Sequence, residues 1–585
     1  MVAGPRGQRR ASSRRGDSVR RRLGQRRYGG GIGRGANGRI RLLRVLVIGL
    51  LVLIGGRAVA LAATSDDLSR LAEQQQNRVV DLPAHRGAIV DRHGQDLAVG
   101  TPRQTVYAAP SMLDDPSSAA RDLCAALQIT RKKERRAVTA ALSDRESGFS
   151  YVARKADPEL ARAALALKLP GVGAYAEEKR SYPMKASATQ VIGLAGIDNQ
   201  GLAGIELQYD TQLGGTDGSQ VAVRDPAGRL LRTVAQTEPV PGADVRLTID
   251  ADIQYLAESV LARTLRSSQA KAAVAIVMDP RTGEVLAMVN APAVKSEDFG
   301  RELANDRNRA ITDMYEPGSI FKLVTIAGAL ADGVVKSTSK FTLPPSIWVA
   351  DREINESHPR GTVTYSVAEI LQWSSNVGAV TIGQRMGKDE LHRWVEAFGF
   401  GKPTGIEFPG EAAGIVPKVK DWSDSSIGNI PMGQGVAVTP LQMIAAAAVI
   451  ANNGVAVKPR LVAQVGATVF NEQESHRVIP ARVAREVRGM IALAVAKGTG
   501  AKAQIKGYEV AGKTGTSQKP LPDGSGYSEV NYIASFVGMV PADHPRLIVL
   551  VAVDEPRSSI YGGDIAAPAV QRIMRFALQH LEIKP

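Results

Sequence analysis

Nineteen residues from Val45 to Ala63, VLVIGLLVLIGGRAVALAA, carry one charge, Arg57, and directly follow a tail dense in arginine. As a helix such a run extends about 28 Å, close to the ~30 Å hydrocarbon core of a bilayer. Arg57 lies near its far end, where a long side chain can reach the headgroups. A membrane crossing here would put everything after about Thr64 on one side, and so constrains the whole chain. Residues 1–44 hold fourteen arginines and one acid, Asp17, so +13 of the net charge of +15 sits in the tail. That asymmetry reads as a cytoplasmic N-terminus under the positive-inside rule, not as a nucleic-acid surface. The small residues Ala60 to Ala63 would also suit signal-peptide cleavage, but a 44-residue leader is long for that. The expectation is an uncleaved single-pass anchor over 45–63, behind an unstructured basic tail over 1–44.

With 585 residues the chain exceeds one hydrophobic core, and two or more domains are expected. Cys124 is the only cysteine, which excludes an intramolecular disulfide and any multi-cysteine metal site. It lies in an alanine-rich helical stretch and reads as a small buried residue. Residues 64–240 read as mixed short strands, helices and turns. From Val245 the pattern changes. Asp250 and Asp252 start a helix with Ile253, Leu256, Val260, Leu261 and Leu265 on one face. Apolar runs on either side of Asp279 to Glu284, and again of Ala542 to Pro545, read as β-hairpins. A last helix is expected from about Ala566 to Leu581. Strands at both ends with helices between them predict an α+β domain over 241–585, its terminal segments sharing one antiparallel sheet.

Three short motifs occur in order in this region. Ser319-Ile320-Phe321-Lys322 follows Pro317-Gly318, which should open a helix at Ser319. Three residues apart, Ser319 and Lys322 then share a face. A serine hydroxyl needs a base beside it, so Lys322 must be neutral for part of a catalytic cycle. Burial and the charge of Lys513 would both lower its pKa. Ser374-Ser375-Asn376 offers a hydroxyl at Ser374 to relay protons and an amide at Asn376 for a substrate backbone. Lys513-Thr514-Gly515-Thr516 reads as a strand. Gly515 leaves room for a substrate backbone, and the N–H groups of Thr516 and Ser319 suit an oxyanion hole. Each motif alone is a weak signal. In order, with the first at a Pro-Gly turn, they resemble the set carried by penicillin-binding proteins and class A β-lactamases. The seven histidines show no paired ligand spacing, and no Walker, dinucleotide or G-x-S-x-G pattern occurs. His358 reads as a loop residue.

The segments RNRAITDMYEPGSIFK, LQWSSNVGAV, IKGYEVAGKTGTSQK, GQGVAVTPLQM and YGGDIAAPAV resemble the class B penicillin-binding proteins, most closely their septal FtsI-like branch. Arg86 to Gly100 (RGAIVDRHGQDLAVG) and Gly201 to Asp210 (GLAGIELQYD) are similar to that family's pedestal motifs, in which Arg86 and Glu206 would pair. A β-lactamase has no reason to carry such a pedestal. Two departures stand out: Lys185 where the family usually has Gly, and Pro431-Met432 where Phe-Gly is more usual.

The resemblance implies a transpeptidase domain over 241–585, an antiparallel sheet with helices, behind an elongated α/β pedestal over 64–240 and the anchor. It implies a D,D-transpeptidase in which Ser319, Lys322, Ser374, Asn376 and Lys513 are catalytic and Thr514, Gly515 and Thr516 bind substrate. The substrates would be peptidoglycan stem peptides, a D-Ala-D-Ala donor and an amine acceptor. β-Lactams would acylate the same serine, and no metal or organic cofactor would be needed. Pedestal motifs fill 64–240, so no glycan-polymerising domain is expected. An FtsW-type membrane glycosyltransferase and other division proteins would be the partners. The alternatives are a hydrolase of the same fold, a β-lactam sensor and a catalytically dead structural protein.

Overall fold

The computed structural model describes residues 36–224, 230–300, 303–471, 473–523 and 525–585. The chain divides into two units, residues 1–79 with 221–235 and residues 80–220 with 236–585.

Among its described residues the first unit contains one helix, Ala36–Gln76. Its segment Gly38–Ala62 is long and apolar enough to cross a membrane. Every side chain of that segment is exposed. A long apolar segment exposed along its length suits a membrane interior. The helix begins nine residues before Val45, because Arg39, Arg41 and Arg44 are good helix formers and extend it into the basic tail. The rest of the expected unstructured tail lies outside the described residues. Residues 77–79, 221–224 and 230–235 belong to strands of a three-stranded sheet.

The second unit is built on a five-stranded sheet in the order Val285–Ala291, Ala272–Met278, Leu547–Asp554, Tyr527–Val540, Ala511–Pro520. All its pairings are antiparallel. Ala272–Met278 thus pairs with Leu547–Asp554, so the two ends of the region share one sheet as expected. Both faces are covered, and the period of two sorts the side chains. Ala273, Ala275 and Val277 enter one core with the helices Ala251–Ser268 and Gly562–His580. Val274, Ile276 and Met278 enter another with Lys322–Ala331, Asn376–Met386, Pro440–Ala451 and Ala481–Lys497. Asp250 caps the first helix by accepting from the N–H groups of Asp252 and Ile253. The last helix begins at Gly562, four residues earlier than expected. Propensity argues against Gly562 and Gly563, but a Cβ at Gly562 would lie 2.1 Å from Ser535 O and 2.4 Å from Gly515 O. Packing against the sheet selects glycine there and overrides propensity.

The pedestal part of this unit has two cores. Strands Asp96–Ala108, Ser150–Ala156 and Val172–Ser181 carry the helices Pro116–Ala126, Lys132–Ser143 and Pro158–Ala166 around Leu123, Cys124 and Leu142. Ile89, Ile205, Leu213 and Val245 instead join the core of the catalytic part. One sheet runs from Ser150–Ala156 and Asp96–Ala108 through Ile89–Val90 and Val245–Leu247 to Val462–Val465. It therefore continues across residue 240.

Glu206 is fully buried between two guanidinium groups. Arg86 Nε donates to Glu206 Oε2 at 2.7 Å and Nη1 to Asp210 Oδ1 at 2.7 Å. Arg180 Nε donates to Glu206 Oε1 at 2.7 Å and Nη1 to Gly87 O at 2.8 Å. Lys185, at the position noted as a departure, has φ +56. A glycine would adopt that backbone without strain. Removing one member of a buried ion pair strands the others, which costs roughly 3–5 kcal/mol. Glu206→Ala should therefore lower the urea midpoint strongly, whereas Glu134→Ala, in an exposed pair with Arg131, should leave it nearly unchanged.

Candidate active site

Ser319 sits in a 3-10 turn, Gly318–Phe321, and the α-helix starts only at Lys322. The expected helix start at Ser319 is thus displaced by one turn. In 3-10 geometry residues i and i+3 eclipse, so Ser319 and Lys322 align more closely than on an α-helix. Gly318 takes φ +55. The turn is braced from several directions. Gly318 N donates to Gly433 O at 3.0 Å, and Gly433, at φ +83, would meet Gly318 O at 2.2 Å if it carried a Cβ. Pro431 O accepts from Thr325 Oγ1 at 2.9 Å, so the Pro431-Met432 departure is accommodated within this brace. Ser517 Oγ donates to Glu316 O at 2.6 Å. The Glu316 carboxylate accepts from Gly435 N at 2.9 Å and Tyr527 OH at 3.0 Å. Burial pushes its pKa up.

Ser319 is partly exposed, whereas Lys322 and Lys513 are fully buried. Lys322 Nζ donates to Ser374 O at 2.6 Å and Asn376 Oδ1 at 2.7 Å, and lies 3.4 Å from Ser374 Oγ. Lys513 Nζ donates to Ser374 Oγ at 2.8 Å and Thr514 O at 3.1 Å. One hydroxyl therefore stands between two amines. Ser374 adopts φ +59, a strained region for a residue with a Cβ, and the turn presents both its carbonyl and its hydroxyl to these amines. Burial brings the Lys322 amine down to about 7, against an upward pull from Glu356. Lys513 is lowered well below the usual amine range, by burial first and then by the charge of Lys322. Repulsion between the two buried amines is mutual and disfavours both holding a proton at once.

Glu356 escaped the sequence reading. It accepts from Ser375 Oγ at 2.5 Å, from Asn376 N at 2.8 Å and from Arg360 Nη2. Ser375 in turn caps the helix Asn376–Met386 by accepting from Gly378 N at 3.0 Å. One carboxylate thus anchors Ser375 and Asn376 and draws the Lys322 pKa upward against burial. Nothing in a lone acid within NESHPRG marks this role. Asn376 has its amide engaged internally, Oδ1 by Lys322 and Nδ2 by Asn355 O at 2.9 Å, which leaves one N–H for a ligand.

Thr514, Gly515 and Thr516 lie on Ala511–Pro520, the edge strand of the five-stranded sheet, as expected of a strand that could pair with an extended ligand. Gly515 has a different reason from the one expected. A Cβ there would meet Ser535 Oγ at 2.3 Å, Pro317 O at 2.9 Å and Ile320 Cγ1 at 3.0 Å, so the glycine lets the Ser319 turn itself approach the strand. Thr516 Oγ1 accepts from Gly562 N at 3.2 Å. His358 stacks on Tyr561, ring centroids 5.1 Å apart. It joins the loop beside Glu356 to the residues just before Gly562.

The structure brings Ser319, Lys322, Ser374, Asn376, Lys513, Thr514, Gly515 and Thr516 into one locality from three distant segments. A buried amine brought down to about 7, a hydroxyl held between two amines and a strand edge suit nucleophilic acyl transfer. Since Glu356 is the group that raises the Lys322 pKa, Glu356→Gln should move it further below 7. A pH titration of the lysine Cε chemical shift in isotopically labelled protein checks this. An unchanged or higher value would remove Glu356 from the electrostatics of the site.

The penicillin-binding protein transpeptidase family model matches residues 273–575, and the penicillin-binding protein dimerisation model matches residues 81–247. The stage V sporulation protein D of Bacillus subtilis is 34% identical over 563 residues, covering 94% of this chain and 86% of that protein. The peptidoglycan D,D-transpeptidase FtsI of Escherichia coli K12 is 32% identical over 552 residues, covering 92% and 91%. Among solved structures, penicillin-binding protein 3 of Mycobacterium tuberculosis in complex with aztreonam superposes with a TM-score of 0.69 at 28% identity, covering 86% of this chain and 98% of that one. A peptidoglycan synthetase of Bifidobacterium adolescentis gives 0.71 at 27%, covering 87% and 97%. With a dimerisation domain, a transpeptidase domain and one N-terminal apolar helix, this chain belongs to the class B penicillin-binding proteins, the peptidoglycan D,D-transpeptidases.

Proposed function

We propose that Ser319 is the acylated nucleophile and that the chain cross-links stem peptides at the division septum. The observation that carries the catalytic part is the convergence of two buried amines on Ser374 Oγ, below the Ser319 turn. Neutral Lys322 takes the Ser319 proton as Oγ attacks the carbonyl carbon of the penultimate D-alanine. The N–H groups of Ser319 and Thr516 hold the tetrahedral oxyanion. Collapse breaks the peptide bond, and the departing D-alanine amine receives its proton through Ser374. The stem-peptide amine of a second strand then attacks the acyl-enzyme and gives up a proton to Lys322, which passes it to Ser319 Oγ as the acyl–oxygen bond breaks. The donor peptide lies as an added strand along Ala511–Pro520, where Asn376 offers its remaining N–H. β-Lactams enter by the donor route, consistent with the aztreonam-bound relative.

Ser319→Ala should abolish labelling by fluorescent penicillin. Lys322→Arg should lose as much acylation rate as Lys322→Ala, about 10³-fold or more, because a guanidinium stays protonated. In the unaltered protein the neutral amine is the active form. The acylation rate should therefore climb as pH rises through about 7 and level off above it. Rapid-mixing kinetics across pH tests this. A flat profile, or an active arginine variant, would mean that Lys322 supplies charge and not proton transfer.

The arginine tail faces the cytoplasm and the catalytic part faces outward, and the protein works with an FtsW-type membrane glycosyltransferase among other division proteins. The tail's +13 supports the orientation. The similarity to FtsI supports the partner. Protease added to intact spheroplasts should digest the catalytic part. Purified protein given lipid-linked disaccharide precursor should make no glycan until the polymerase is added, and cross-links alone should then be penicillin-sensitive. Glycan from this chain alone, or protection from protease, would refute the respective assignment.

A further inference from the structure

Far along the sequence from the catalytic motifs, three potential metal ligands meet. Asp250 Oδ2 lies 3.2 Å from His93 Nε2 and 3.1 Å from His580 Nε2, across sequence separations of 157 and 330 residues. All three donor atoms fall within 4.8 Å of one another. Two donors bound about 2.0–2.1 Å from a tetrahedral ion stand roughly 3.3 Å apart. The two N···O distances already match that spacing.

The surroundings favour a cation. The Asp250 side chain is 1% exposed. Its Oδ1 is held by the N–H groups of Asp252 and Ile253, which aims Oδ2 at the two imidazoles. Asp91, equally buried, lies beside it, with Oδ2 accepting from Ala251 N at 3.2 Å and Oδ1 from the backbone N–H groups of His93 and Gln95. Among the described residues neither carboxylate has a lysine or arginine partner, and the neighbouring Arg92 pairs with Glu284. The two buried carboxyls thus have backbone N–H groups as partners and, at Asp250, two imidazoles, whereas buried charges are normally paired or bind metal. His580 is oriented by stacking on Phe576, with centroids 5.5 Å apart at 12°. His93 is 63% exposed, so it is free to swing onto an ion and leaves a solvent-facing fourth position.

We infer that His93, Asp250 and His580 form a binding site for a divalent transition metal of the zinc class. The ion fastens the Asp91–Gln95 turn and the end of the C-terminal helix to the start of the helix Ala251–Ser268. Mixed imidazole and carboxylate donors with one open position suit Zn²⁺ better than Ca²⁺ or Mg²⁺, which demand more oxygens. With water in the fourth position, the site bridges distant segments of the fold. It ties two ends of the second unit to the pedestal hairpin and takes no part in acyl transfer.

The test uses the full chain in detergent, purified without a polyhistidine tag and stripped with chelator. Zn²⁺ competition against a chromogenic chelator should give one equivalent per chain, and Zn²⁺ should raise the thermal midpoint. Co²⁺ should give the intense visible bands of a tetrahedral site. His93→Ser and His580→Gln should each weaken binding at least about tenfold, and the double variant should lose both binding and thermal shift. Penicillin acylation should be unchanged in all of them, which shows that they remain folded. Absence of stoichiometric binding, a weak octahedral Co²⁺ spectrum, or full binding by the double variant would each overturn the site.

Discussion

Keeping an amine in the protein interior is costly unless it is neutral or surrounded by acceptors, and the catalytic half is arranged around two such amines. Lys322 and Lys513 are both sealed from solvent and meet at one serine hydroxyl. Their positions dictate much of what surrounds them. Ser374 accepts a strained backbone so that its carbonyl and hydroxyl both reach amines. Glu356 pins the turn that carries it and limits how far the Lys322 pKa falls. The edge strand brings Lys513 in from the far end of the sequence. A lysine in water would hold its proton at neutral pH and offer no lone pair.

Glycines make this packing possible. Gly515 and Gly433 close on the Ser319 turn from two sides, and Gly562 crosses the edge strand beside it. At each place a methyl group would collide with backbone or a neighbouring side chain. The Ser319 turn is therefore set by backbone contacts, and these hold geometry more tightly than side chains on loops could. The same compactness leaves Ser319 as the partly exposed member above a buried array.

The pedestal is fused to this array. Its hairpin at Ile89–Val90 pairs with Val245–Leu247, and that strand pairs with Val462–Val465 from deep in the catalytic segment. Glu206 locks the pedestal end of the joint with two arginines. A shared sheet and a shared core transmit orientation more rigidly than a linker would. What separates the two parts in sequence is thus not a mechanical boundary in the fold.

The three motifs, the hairpins, the first helix of the catalytic region and the strand reading of Lys513 to Thr516 were legible from residue type and spacing, and the pairing of Arg86 with Glu206 from the family resemblance. Each depends on local periodicity, on turn chemistry or on a motif that family members carry as a continuous string. The tertiary structure alone decided the rest. Glu356 is an unremarkable acid until folding sets it against Ser375 and Asn376. Gly515 looks like space for a ligand until the Ser319 turn fills that space. The last helix starts at two glycines that propensity would exclude. His93 and His580 look scattered because their meeting point, Asp250, lies 157 and 330 residues away. Sequence determines what a segment prefers by itself, but burial, desolvation and steric exclusion arise only where distant segments touch, and those set the pKa values and the close contacts on which this chemistry runs.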